Sequence, residues 1–339
     1  MDFSLLVKPA GADCNLACGY CFYREKSALY RHAPRLMMED KVLRRLLDVY
    51  RGGHIAFQGG EPTLMGLDFF RRAQELSHEV DFSLQTNGTL LDGDWARFLR
   101  DHHWLVGLSV DGPEAIHNRF RQHYDLAKRG YDALVAAGAM VNTLTLVSAA
   151  NIDHPQEVYR FVRDEWGSLN QQYIECTTPP AFAIDGEKWG DFLIGLFDTW
   201  LGDGDAHRVS IRLFDTLVAR MVYGRSEVCQ FAGNCCNYLV VEWNGDIYPC
   251  DFHVTKDLRL GNILTDDLET VFRSPKFREF GRRKRNWSAE CAACPYLPFC
   301  QGDCPKNRDP LTRQSRLCSG YKRFFAHALP ILRTLIPSA

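Results

Sequence analysis

No run of the 339 residues is apolar for long enough to cross a bilayer, which takes about 20 consecutive apolar positions. The opening MDFSLLVKPAGADC lacks both the basic start and the extended apolar core of an export signal, so the expectation is a cytoplasmic protein. An excess of one charge is missing too. Forty Lys and Arg stand against 42 Asp and Glu, interspersed, for a net −2. That balance gives no reason to expect nucleic acid or an anionic membrane as partner, and leaves small molecules or polypeptides as substrates. Low-complexity tracts are absent. With 46% hydrophobic and 24% charged residues, the chain has the composition and length for a large core or two domains.

Cysteine, by contrast, is plentiful, at 13 residues. In a reducing compartment thiols are not kept as disulfides, and an odd number pairs badly, so metal or redox chemistry is the leading explanation.

The first half alternates short apolar runs with helix-period segments. FSLLVKP, HIAFQGGEP, FSLQTNGT, WLVGLSVDG, VNTLTLVS and QQYIEC read as buried strands ending in turn residues, and Val42, Leu43, Leu46, Leu47 and Tyr50 trace one helical face between them. Six β–α units predict an α/β fold, a partial (β/α)6 barrel, whose functional groups gather where strand ends meet the following loops. From about Thr177 the pattern breaks into a loop and then helices, and from Cys229 the chain is cysteine-rich with short elements. The expected division is a barrel over 1–176, a connecting helical segment over 177–228, a cysteine-rich domain over 229–325 and a closing amphipathic helix over 326–339.

Within DCNLACGYCFY, Cys14, Cys18 and Cys21 stand at C-x3-C-x2-C directly after the first strand. Structural zinc and most iron–sulfur clusters take four protein ligands, so three thiolates acting alone leave one metal position for a substrate or cofactor. A zinc site completed by a remote residue such as His32, or three buried thiols, are the alternatives on spacing alone. This motif, with Tyr20 before its last cysteine, and GGEP at 59–62 resemble the signature of the radical S-adenosylmethionine enzymes. The resemblance implies a [4Fe–4S] cluster on the three cysteines, with S-adenosylmethionine on the fourth iron and a 5′-deoxyadenosyl radical as the reagent it releases. It also implies that Gly59, Gly60 and Glu61 hold the methionine amino end, that Tyr23 lies near the adenine, and that Ser109 and Arg121 contact the carboxylate. Read without the family, the last two are an ordinary strand-end serine and a solvated arginine.

The second set runs Cys235, Gly245, Cys250, then Cys291, Cys294, Cys300, Cys304, then Cys318, a spacing that resembles the SPASM extension of peptide-modifying radical enzymes. With Cys229 the count is eight, enough for two auxiliary [4Fe–4S] clusters and three clusters in all. By similarity, Cys229, Cys235, Cys250 and Cys304 form one set, and Cys291, Cys294, Cys300 and Cys318 the other. Cys176 and Cys236 are spare, though Cys236 could stand in for Cys235. Zinc remains the alternative for the CAAC segment.

Further stretches, among them AFQGGEPTLMGLDFF, SLQTNGTLLD, RVSIRLFD and DIYPCDFHV, resemble the anaerobic sulfatase-maturating enzymes over nearly the whole chain. The resemblance implies oxidation of a sulfatase cysteine or serine to Cα-formylglycine, with Asp251 as general base and the radical removing a Cβ hydrogen. Taken alone, an Asp after a turn cysteine is a loop hydrogen-bonder. Gln58 and Gln85, at the ends of the second and third strands, are candidates to hold the substrate peptide backbone, or plain turn glutamines. The expected partners are a peptide or unfolded protein and an electron donor such as flavodoxin or ferredoxin. The stretch from Cys176 to about Trp189 is shorter than the family pattern, which keeps open a maturase that cross-links or epimerises a ribosomal peptide. A zinc-stabilised partner-binding protein, with RRKR at 282–285 as docking patch or solvated helix face, is the reading from another class.

Overall fold

The six expected strands form, and four more follow them in the computed structural model. They are β1 (Ser4–Lys8), β2 (His54–Phe57), β3 (Asp81–Thr86), β4 (Leu105–Ser109), β5 (Met140–Val147), β6 (Asn170–Glu175), β7 (Ser210–Ile211), β8 (Tyr238–Glu242), β9 (Asp246–Tyr248) and β10 (Gly261–Asn262). The structure describes residues 3–336 apart from 34, 78 and 227. Two compact units divide the chain, neither of them continuous in sequence. The first comprises Met1–Ser109, Arg121–Asn142 and Cys235–Gly281; the second comprises Val110–Phe120, Thr143–Asn234 and Arg282–Ala339.

In the first unit the strands run β10–β9–β8–β1–β2–β3–β4. β1 to β4 are parallel, joined by helices Asp40–Val49, Leu67–Leu76 and Gly93–Asp101. The helical face read from sequence is the buried one: Val42, Leu43, Leu46 and Leu47 all face inward. Asp92 starts the third helix by accepting hydrogen bonds from the backbone N–H of Asp94 and Trp95, so two otherwise unpaired donors are satisfied. Phe57, Phe82 and Trp104 stack against one another beneath the sheet, with centroids 4.6–5.8 Å apart. β8 pairs in parallel with the other edge of β1, with Lys8 opposite Glu242. β9 folds back on β8 through Gly245, whose φ of +88° suits glycine.

In the second unit β5, β6 and β7 are parallel from Thr143 onward. Helix Gly186–Gly202 packs on the closing helix, which spans Cys318–Leu335 and so starts earlier than expected. Glycines make the crossing close. A Cβ on Gly320 would lie 2.1 Å from the Gly186 carbonyl oxygen and 2.6 Å from the Gly190 nitrogen. Trp189, Phe192, Phe197, Phe214 and Phe324 fill the space around it. Because backbone cannot retreat as a flexible side chain can, Gly320→Val is expected to destabilise the chain by about 3 kcal/mol or more, read as a lower midpoint in denaturant unfolding. Among the described residues, no helix is long and apolar enough to cross a membrane.

Candidate active site and cluster-binding loops

After β1 the chain turns at Gly11 and enters an irregular loop, residues 13–23, that carries the first three cysteines. The GGE segment after β2 is joined to this loop by backbone hydrogen bonds, Gly60 N to the Gly11 oxygen at 2.7 Å and Glu61 N to the Asp13 oxygen at 2.8 Å. Only glycine fits at position 60, where a Cβ would sit 1.9 Å from the Asp13 oxygen. Glu61 is buried, and its carboxylate is filled from within. Oε1 accepts from Thr63 N, Thr63 Oγ1 and Thr86 Oγ1, and Oε2 accepts from Asn87 N at 2.8 Å. Its side chain therefore ties the ends of β2 and β3 together, and what the motif can offer a ligand is its backbone. Burial pushes the Glu61 carboxyl up, opposed by those hydrogen bonds.

The three thiols fit an iron cluster. Cys14 Sγ accepts from Leu16 N at 3.3 Å and from Asn87 Nδ2 at 3.9 Å, as a metal-bound thiolate does. Burial raises the Cys14 thiol to about 11, opposed by the Leu16 N–H and helped by repulsion from Glu61, Cys18 and Cys21. Arg121 lies beside the loop, its guanidinium 5.5 Å from the Tyr20 ring centroid and its carbonyl accepting from Cys18 Sγ at 3.9 Å. Ser109, at the end of β4, is buried and accepts from Gln85 Nε2 at 3.3 Å. Gln58 is half-buried, its N–H bonded to the Val7 oxygen at 2.9 Å. Asn87, which also donates to Asn15 Oδ1 at 2.9 Å, escaped the sequence reading although it stands in the quoted QTNG.

Beside the loop lies a buried charged group of which sequence reasoning named Tyr23 and Asp251 and missed Lys8 and Glu242. Lys8 and Glu242 are each 1% exposed and Asp251 is 9% exposed. Lys8 Nζ is 3.8 Å from Asp251 Oδ2 and 4.6 Å from the Tyr23 ring centroid. The Tyr23 hydroxyl donates to Glu242 Oε1. Asp251 Oδ1 accepts from Phe252 N at 3.1 Å and from the Tyr238 hydroxyl at 3.3 Å, and that hydroxyl lies 3.5 Å from Cys250 Sγ. Burial raises Glu242 to about 7, while Tyr23 and Lys8 pull it down. Burial also lowers Lys8, against the attraction of Asp251 and Glu242. The available signal was a charged residue closing an otherwise apolar strand, Lys after SLLV and Glu after YLVV.

In the second unit Cys291, Cys294, Cys300 and Cys318 line one cavity, closed by Tyr296, Leu297, Tyr321 and Phe325. Its donor set and apolar walls fit a four-thiolate cluster. Among the described residues no three His, Cys, Asp or Glu side chains converge as on a single ion. Of the other assigned set, Cys229 and Cys304 belong to the second unit and Cys235 and Cys250 to the first. Both spare cysteines direct their thiols at carbonyls, Cys176 to Thr178 at 3.6 Å and Cys236 to Phe277 at 3.4 Å. Gln301, Gly302 and Asp303, between Cys300 and Cys304, all have positive φ. Asp303 holds this strained turn. Its carboxylate accepts from Cys304 N at 2.6 Å, Ser315 Oγ at 2.6 Å, Gln230 and Asn307, and its carbonyl accepts from Lys284 and Arg308. Within the RRKR run Arg282, Arg283 and Arg285 are exposed, while Lys284 is fully buried and braces the cysteine turn.

Comparison with known proteins fixes the family. Residues 9–162 match the radical SAM superfamily and residues 229–295 an iron–sulfur cluster-binding domain, SPASM. The cysteine-type anaerobic sulfatase-maturating enzyme of Clostridium perfringens is 36% identical across 97% of both chains. The serine-type enzyme of Bacteroides thetaiotaomicron is 31% identical across 97% of this chain and 90% of its own. The chain belongs to the anaerobic sulfatase-maturating enzyme family. The solved structure of native anSMEcpe with bound AdoMet and Cp18Cys peptide matches with a TM-score of 0.88 and 35% identity, over 98% of each chain. Family membership makes the chain a radical SAM enzyme with a cluster-binding SPASM domain, and it replaces the zinc reading of both cysteine sets. SuiB of Streptococcus suis, at 16% identity and a TM-score of 0.68, shares the fold.

Proposed function

We propose that this chain oxidises a cysteine or serine in a sulfatase peptide to Cα-formylglycine without oxygen. The observation that carries this is identity of 31–36% along 97% of the chain to serine-type and cysteine-type sulfatase-maturating enzymes alike. The reaction requires one hydrogen atom, one proton and one electron to leave the substrate side chain. Serine then becomes the aldehyde directly, and cysteine becomes a thioaldehyde whose sulfur water displaces. The chemistry that the cluster and S-adenosylmethionine supply when bound is removal of the Cβ hydrogen by a 5′-deoxyadenosyl radical.

In this reading Cys14, Cys18 and Cys21 hold the first cluster, with Asn87 bonded to the Cys14 sulfur. The backbone at Gly59, Gly60 and Glu61 faces the methionine amino end, while Tyr23, Ser109 and Arg121 line the cofactor's other contacts. Asp251 receives the proton, as a buried carboxylate with each oxygen already oriented. Gln58 and Gln85 take the substrate backbone. Cys229, Cys235, Cys250 and Cys304 hold one auxiliary cluster, and Cys291, Cys294, Cys300 and Cys318 the other, as acceptors for the departing electron or as supports for the peptide. A barrel over 1–176, a connecting segment over 177–228 and a cysteine-rich domain from 229 that runs into the closing helix at Cys318, a flavodoxin or ferredoxin as reductant, and a cytoplasmic site of action complete the proposal.

The test is anaerobic incubation of the iron-loaded protein with S-adenosylmethionine, reductant and a C-x-P-x-R peptide, with the product weighed. Exchange of sulfur for oxygen with loss of two hydrogens is the expected change. Loss of two hydrogens with the sulfur retained in a thioether would overturn it in favour of a cross-linking maturase.

A further inference from the structure

We propose that Lys8 is a positioning residue for Asp251, fixing the direction of its carboxylate through a buried ion pair. The inference rests on the reading of Asp251 as proton acceptor. Lysine is almost never fully buried unless paired, and Lys8 is 1% exposed at the end of β1. The strand register puts Glu242 directly opposite it, so two anions compete for one ammonium. Tyr23 contacts both Glu242 and Lys8, its hydroxyl donating to Glu242 Oε1 while its ring centroid lies 4.6 Å from Lys8 Nζ. The ammonium pairs with Asp251 Oδ2 at 3.8 Å. On the far side Phe252 N and the Tyr238 hydroxyl hold Oδ1. The two carboxylate oxygens thus have separate partners, Lys8 at Oδ2 and Phe252 N, the Tyr238 hydroxyl and the Cys250 thiol at Oδ1. Proton transfer demands a placed carboxylate, since misplacement of a reacting group by about 1 Å costs roughly 100-fold in rate.

A buried ion pair could instead serve folding alone, and a double-mutant cycle separates the two roles. Lys8→Met keeps the length of the buried stem and removes the charge; Lys8→Arg keeps the charge. With iron-loaded protein, Lys8→Met is expected to slow aldehyde formation about 10- to 100-fold and to raise the ratio of deoxyadenosine to aldehyde. Lys8→Arg is expected to do better than Lys8→Met, the reverse of the order that space-filling predicts. In the Asp251→Asn background, Lys8→Met is expected to cost no more than about twofold, because the group it positions is gone. Iron content and calorimetric peptide affinity of Lys8→Met are expected to match the parent. Equal losses in both backgrounds, or failure of both Lys8 variants to hold iron, would overturn the positioning role and leave Asp251 in place. Undiminished aldehyde formation by Asp251→Asn alone would instead remove the reading of Asp251 itself.

Discussion

Alanine at Cys14, Cys18 or Cys21 is expected to abolish deoxyadenosine formation altogether and to lower the iron content from roughly twelve atoms per chain to about eight. The size of the effect follows from the coordination count. Three sulfurs on one short loop leave a single metal position open, and two sulfurs no longer retain the cluster to which S-adenosylmethionine must bind. The loss should be confined to that site. The loop is irregular and is anchored independently of its thiols by the Gly11–Gly60 and Asp13–Glu61 backbone bonds, so circular dichroism and the auxiliary iron should persist. Iron assay and chromatography of deoxyadenosine check both parts. Undiminished deoxyadenosine from all three variants would remove the basis of the functional assignment.

Asp251→Asn is expected to lower aldehyde formation by about 10²- to 10⁴-fold, the usual contribution of a placed general base. Deoxyadenosine should continue to appear, so the ratio of deoxyadenosine to oxidised peptide becomes the diagnostic quantity. Asparagine preserves the shape and can still accept at Oδ1 from Phe252 N and the Tyr238 hydroxyl, but it takes no proton and makes no ion pair with Lys8. Product mass spectrometry and deoxyadenosine measured on the same reaction decide the matter. A ratio equal to the parent's would mean that the proton leaves by another path.

The parts of this molecule legible in the sequence are those governed by local rules. Strands β1 to β6 could be read because each is a short strand-prone run followed within four residues by Gly, Asp, Asn or Pro, and the helix around Leu46 because its period is unbroken. The cysteine spacings were legible because ligand geometry constrains them directly. What stayed hidden depends on contacts distant in the chain. β8 carries no mark that it pairs with β1, some 230 residues earlier, and without that pairing the meeting of Lys8, Tyr23, Glu242 and Asp251 has no sequence signal. Lys284 misled for the same reason. Its neighbours Arg282, Arg283 and Arg285 are exposed as a basic run suggests, and Lys284 alone is drawn inside by the Gln230 and Asp303 carbonyls. The surroundings of Glu61 were hidden too, since the set of Thr63, Thr86 and Asn87 that bonds its carboxylate joins two strand ends and cannot be inferred from GGEP alone.

The register of β8 on β1 has a consequence for biosynthesis. One neighbour of β1 is supplied within the first sixty residues, and the other is not synthesised until about residue 240, so half the hydrogen-bonding edge of β1 stays unpaired through most of translation. The wall bearing Lys8 is completed only once the nascent chain has been made as far as Glu242.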